Sequence, residues 1–323
     1  MEASKMTKTY DSALQARLEA YLSSAGISQN KASTMIGISQ TALSQYRHNQ
    51  YGGNVPDVEQ KLAEFLRTRA AVEHAEEKSA PYKPNGDYVP TSISENVYKA
   101  IQYCQLERGM MVLHGDAGIG KTKGAMRFVA ENPSNAIYLS ATPISGTLGN
   151  TLKLLARALR VPETRNKLDL MLSIRARLHG TDKIIIIDEA QHLKLNTLEE
   201  LRNLSDPDDA TGDKGTGICL IGNTEVYSRM LGKQEAQFAQ QFSRVKMCRR
   251  YSTTKVTLAD MMELFPTLAD GNHKKELEFL HGISQSKWGI RGATNIYNNA
   301  VNNEDITADG LRKMALSMGV GVL

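Results

Sequence analysis

Apolar residues follow two rhythms along this chain. Between residues 13 and 66 they recur every three or four positions, as Leu14, Leu18 and Leu22 and later as Val58, Leu62, Phe65 and Leu66, a spacing that predicts short amphipathic helices. From Met110 onward they come as unbroken runs: Met110 to Leu113, Ile184 to Ile187 and Ile218 to Ile221. Runs without alternation predict strands covered on both faces, as in a parallel sheet, and the β-branched Ile184 to Ile187 fits this best. Ala136 to Ser140 reads as another strand, and Leu148, Leu152, Leu155 and Leu159 put one apolar face on a helix over 147–159. The pattern describes an all-α N-terminal segment and then an α/β core. Pro, Gly and polar residues dominate 78–90, which reads as a linker.

Ser28 and Ser39 are suited to cap two short helices, with Gly37 ending the first. Helix, Gly-containing turn, helix is the helix-turn-helix plan. The stretch 28–47 resembles the helix-turn-helix of Cro-like phage repressors, with Gln40 to Asn49 as recognition helix. On that reading Gln40, Thr41, Ser44, Gln45, Arg47 and His48 face a DNA duplex, Gln and Arg being suited to base edges and Ser, Thr and Arg to phosphates. A small protein-docking bundle shares the same pattern. The first 80 residues carry nine Lys/Arg and nine Asp/Glu, so the net charge of +4 lies wholly outside them. DNA contact by this module is therefore expected to be auxiliary and weak.

The chemistry concentrates at Gly115-Asp116-Ala117-Gly118-Ile119-Gly120-Lys121-Thr122, which follows a strand and opens a helix. This is the phosphate-loop pattern: glycines turn successive N–H groups toward one point, and the helix start adds its dipole. Lys121 is placed to reach the β- and γ-phosphates of a nucleoside triphosphate, and the Thr122 hydroxyl to ligate Mg²⁺. Asp188, at the end of the isoleucine strand, is the expected water-mediated Mg²⁺ anchor, and Glu189 the base that polarises the attacking water. Asn223 ends the next buried strand, where it would hold that water. Gln191 and His192 are candidates for sensing nucleotide or DNA.

An apolar content of 41% and a charged content of 23% are ordinary for a globular chain. Cys104, Cys219 and Cys248 lack paired spacing for zinc. No apolar run is long enough to span a bilayer and Met1 to Asp11 lacks a signal-peptide core, so a cytoplasmic protein without membrane association is expected. From Arg244 through Lys255 there are five basic residues, among them Lys246, Arg249 and Arg250, and no acidic one. That strip reads either as a phosphate-binding edge or as a solvated one.

Strand, phosphate loop, helix, Asp188-Glu189, terminal Asn223 and Phe242-Ser243-Arg244 together resemble an AAA+ ATPase. The resemblance narrows to the MuB-type target activators of transposing phages through Thr142-Pro143, Ile187-Asp188-Glu189-Ala190 and the string Gly222 to Ser228. It implies a P-loop core with a parallel sheet of order 5-1-4-3-2 and a small helical lid. The expected domains are a helix-turn-helix over 1–76, a linker over 77–91, the ATPase core over 92–252 and the lid over 253–323. It also implies that Asn223 acts as sensor 1, Arg244 as an arginine finger in trans and Arg291, within Trp288 to Thr294, as sensor 2. Arg160, Arg165 and Lys167 flank a place where DNA-binding relatives line a central channel. The implied activity is ATP hydrolysis by a helical self-assembly on double-stranded DNA of little sequence preference, delivering that DNA to a DDE transposase and activating it. A helicase loader or a nucleotide-switched repressor are the competing readings.

Overall fold

Asp11, Ser28 and Ser39 each accept a hydrogen bond from a first-turn N–H, which sets the starts of α1 (Ser12–Ala25), α2 (Gln29–Ile36) and α3 (Gln40–Arg47). Helix α4 (Val55–Ser79) follows with Pro56 in its first turn. Leu18, Leu43, Tyr46 and Leu62 are fully buried at the centre of this helical unit. The computed structural model describes residues 9–82, 88–209, 212–231 and 245–320. It divides between Pro81 and Tyr82 into two compact units. Helix α4 runs past the last periodic leucine because residues 67–77 are rich in Ala, Glu and Arg, all good helix formers.

The second unit starts with α5 (Ser92–Glu107), entered through a Thr91–Ser94 capping box, and then alternates strand and helix. In order come β1 (Met110–Gly115), α6 (Lys121–Glu131), β2 (Ala136–Ser140), α7 (Leu148–Leu159), α8 (Lys167–Leu178) and β3 (Ile184–Asp188). After these follow α9 (Leu195–Ser205), β4 (Gly217–Gly222), α10 (Thr224–Leu231) and β5 (Val245–Tyr251). All pairings are parallel, and the sheet order is β2-β3-β4-β1-β5, the expected 5-1-4-3-2 counted from the other edge.

Every residue of β1, β3 and β4 is buried. Met111, Leu113, Ile184 and Ile186 pack toward α5 and α6, whereas Val112, Ile185 and Ile187 pack toward α7, α8 and α9. Covering both faces is what leaves these strands without alternation. Helices α11 (Leu258–Leu264), α12 (Lys274–Gln285), α13 (Gly289–Asn302) and α14 (Ala308–Ser317) extend the first of these cores.

One connection departs from the usual hairpin. Lys167 lies beside Gly149 at the start of α7, and Arg177 Nε donates to Leu159 O at its end, 3.4 Å away. Helices α7 and α8 therefore run in the same direction, and residues 160–166 return along α7.

Candidate functional site

Parallel strands bring the ends of β1, β3 and β4 to one edge of the sheet, and a cavity of about 830 Å³ opens there. The phosphate loop forms its floor. Gly115 (φ +140°) cannot be replaced without moving β5, since a Cβ would stand 1.8 Å from Tyr251 O. Asp116 N donates to that same carbonyl (3.0 Å), so β5 holds the loop from beneath. Asp116 accepts at Oδ2 from Thr253 N (2.8 Å), Ser252 Oγ (3.0 Å) and Thr253 Oγ1 (3.2 Å). Burial works against its charge, yet these hydrogen bonds prevail and hold the carboxyl below the usual aspartate range.

A pH dependence follows from that shift. A carboxyl whose pKa is depressed by folding stabilises the fold above its unfolded value of about 3.9 and loses that contribution as pH falls through the folded value. Melting temperatures recorded from neutral pH into acid should fall more steeply for the wild type than for Asp116→Asn. Parallel curves would remove Asp116 from the acid response.

Lys121 is buried and donates from Nζ to Gly115 O (3.1 Å) and Asp116 O (2.6 Å). Burial pushes its ammonium below the usual lysine range; Asp188, Asp116 and Glu189 pull it back, and Arg291 adds to the depression. A desolvated cation held by two backbone carbonyls is poised for an anionic ligand. Thr122 Oγ1 donates to Asp188 Oδ2 (2.7 Å), and Asp188 Oδ1 accepts from Glu189 N (2.8 Å). Hydroxyl and carboxylate oxygens meeting in this way match the hard donor set that Mg²⁺ takes beside phosphates, where it keeps several waters and few protein ligands.

Glu189 is exposed to the cavity with a left-handed backbone (φ 53°, ψ 36°). Gln191, buried, donates from Nε2 to Glu189 Oε2 and accepts at Oε1 from Asn223 N (3.3 Å), so it joins Glu189 to the end of β4. Asn223 lines the cavity, but its Oδ1 accepts from Glu225 N (2.8 Å) at the start of α10. Arg291 lies on the opposite wall, on α13. Its N donates to Gly118 O (2.9 Å), and a Cβ at Gly289 would stand 2.7 Å from Ala117 O, so the start of α13 sits directly on the phosphate loop.

Two features of the cavity had no sequence signal. Tyr138 donates its phenol to Asp188 Oδ2 (3.1 Å), and the negative charge of Asp188, after burial, pushes that phenol above its usual range. Val89, Phe265, Ile290 and Tyr297 make the far end apolar, a surface suited to a planar base. These residues come from three separate segments and are unremarkable apolar residues in sequence.

The remaining candidates are dispersed. Arg244, with Phe242 and Ser243, lies outside the described residues. Arg160 is exposed at the left-handed end of α7, away from Arg165 and Lys167, which lie beside the helix start. Arg249 and Arg250 are exposed on edge strand β5, and Lys246 Nζ donates to Glu107 O at the end of α5. In the helical unit Gln40, Thr41, Gln45 and His48 are exposed along α3 and Ser44 is half-buried. Arg47 is held by both carboxylate oxygens of Glu19, at 2.5 and 2.7 Å, and by Gln29. Its guanidinium thus ties α3 to α1 and α2, and contact with a duplex would require breaking that pair.

Residues 105–230 match the AAA domain family. The Mu-like prophage FluMu DNA transposition protein B of Haemophilus influenzae is 30% identical over 87% of this chain and 94% of its own length. The ATP-dependent target DNA activator B of Escherichia phage Mu is 31% identical over 85% of this chain and 82% of its own. Among solved structures, the Cdc6p crystal structure from Pyrobaculum aerophilum shares the fold, with a TM-score of 0.53 and 16% identity over 74% of this chain and 71% of that one. With a complete phosphate loop after β1 and an acidic pair at the end of β3, one strand removed in the sheet, the chain is a nucleotide-binding ATPase and belongs to the MuB family of AAA+ proteins.

Proposed function

We propose that this ATPase polymerises on double-stranded DNA when ATP is bound, delivers that DNA to a DDE transposase in DNA transposition and activates it, and leaves the DNA on hydrolysis. The observation that carries this reading is the assembly of Lys121, Thr122, Asp188, Glu189 and Asn223 around one cavity, in a chain whose relatives are named as transposition proteins and target DNA activators.

In this mechanism Lys121 and the loop N–H groups bind the β- and γ-phosphates, and Arg291 reaches the γ-phosphate from α13. Thr122 would hold Mg²⁺ directly and Asp188 through water; the ion would neutralise charge developing on the phosphates. Glu189 takes the proton of the attacking water, which Asn223 helps to orient. Arg244 completes the site from a neighbouring copy, which makes hydrolysis depend on assembly. Arg160, Arg165, Lys167, Lys246, Arg249 and Arg250 are the candidate phosphate contacts, with the helix-turn-helix as an auxiliary one. The described residues contain no helix long and apolar enough to cross a membrane; action on DNA in the host cytoplasm is part of the proposal.

Electron microscopy of the purified full chain with unrelated duplexes tests the reading. Helical assemblies should form with ATP on every duplex and vanish with ADP. A chain that stays monomeric with ATP and duplex, or that binds only one sequence, would rule it out.

A further inference from the structure

One wall of the nucleotide cavity has few ties of its own. Val89 lines the cavity beside Thr91 and Ser94 and is only half-buried. No backbone hydrogen bond joins Tyr88, Val89 or Pro90 to another described residue. Thr91 differs, because its N–H donates to Ser94 Oγ (2.9 Å) and its side chain caps α5. The segment ahead of Thr91 is anchored instead by the side chain of Tyr88.

That side chain meets a cation. Arg127, on α6, has its Cζ 5.0 Å from the ring centroids of both Tyr88 and Tyr98. Its Nη1 pairs with Glu95, and its Nε donates to Glu131 Oε1 (2.9 Å). Each carboxylate also accepts from a phenol, Glu131 Oε2 from Tyr98 (2.6 Å) and Glu95 Oε1 from Tyr88 (3.3 Å); the Tyr88 oxygen also meets Ser94 Oγ at 2.8 Å. A planar guanidinium can offer its face to rings and its edge to carboxylates at once, which a lysine cannot. Of this cluster only Ser94 lines the cavity, so Arg127 acts on a ligand through Tyr88 and its neighbour Val89. Helix α6 begins at Lys121 and Thr122, and Arg127 stands six residues on, about 9 Å along the axis. One helix thus sets both the phosphate end of the cavity and the wall opposite its apolar end.

We infer that Arg127 is a positioning residue for the nucleoside: by holding Tyr88 it keeps Val89 in place as a wall of the base site, without touching the phosphates. The inference rests on the reading of the apolar end of the cavity as the seat of the base, and adds what holds that seat.

Calorimetric titration of the full chain with ATP and with ribose 5-triphosphate, the same ligand without its base, tests it. Tyr88→Ala and Arg127→Gln should each bind ATP roughly three- to tenfold more weakly, while affinity for ribose 5-triphosphate and turnover at saturating ATP stay at wild-type values. Tyr88→Phe keeps the ring over Arg127 and should bind ATP nearly as the wild type does. Tyr88 lies outside any helix, so Tyr88→Ala reads the effect even where Arg127→Gln lowers the melting temperature. Equal weakening of both ligands would make the cluster a general support of the fold and overturn the inference, as would unchanged ATP affinity in either variant. Tyr88→Phe as weak as Tyr88→Ala would transfer the anchoring to the hydroxyl contacts with Ser94 and Glu95 and remove Arg127 from the role. A wild type that binds ATP no more tightly than ribose 5-triphosphate would instead refute the base-site reading on which the inference stands.

Discussion

Lys121→Ala should lose ATP binding and, with it, every assembly on DNA. Its ammonium is buried, held over Gly115 O and Asp116 O, and already destabilised by desolvation. A bound triphosphate would be its natural counter-charge, and truncating one member of a buried charged pair costs about 2–5 kcal/mol. That corresponds to an affinity loss of roughly 30-fold to several thousand-fold at about 1.4 kcal/mol per decade. Titration with a fluorescent ATP analogue reads the loss directly. Circular dichroism guards against a folding defect, because the alkyl stem of Lys121 is packed as well as its charge. Affinity retained within a few-fold in a folded variant would contradict the phosphate-loop assignment.

Glu189→Gln should separate binding from turnover. The substituted amide keeps an oxygen to accept from Gln191 Nε2, so the link through Gln191 to Asn223 survives and the local structure is preserved. What disappears is the carboxylate proposed to take the proton of water, an effect worth about 10²–10⁴ in rate. Steady-state phosphate release should fall by about that factor while ATP affinity stays near wild type, and DNA already bound should leave slowly after dilution. Normal turnover would assign the base elsewhere, and lost ATP affinity would give Glu189 a structural role.

The floor of the candidate nucleotide site was legible in sequence because its residues are contiguous and chemically unusual: glycines between a strand and a helix, then Lys121-Thr122. Asp188 and Glu189 were legible for a related reason: two adjacent carboxylates close an isoleucine run downstream of the phosphate loop, although a helix start would read the same way. The sheet order came with the family resemblance and agrees with the structure. Residues whose role depends on meeting a distant partner could not be read. Tyr138 looks like any strand tyrosine until Asp188 is beside it. Arg47 looks like a duplex contact until Glu19 claims it. The shared direction of α7 and α8 depends on a return over residues 160–166 that no periodicity announces.

The seat of α13 on the phosphate loop has a mechanical meaning. Any shift of Gly118 O in the phosphate loop would be passed to Arg291 N through the hydrogen bond between them. The helix continues from there for 14 residues, a span of about 21 Å, and packs into the core through Ala293, Ile296, Ala300 and Val301. A disturbance at the loop is therefore carried into the packing of the core, far from the atom at which it starts.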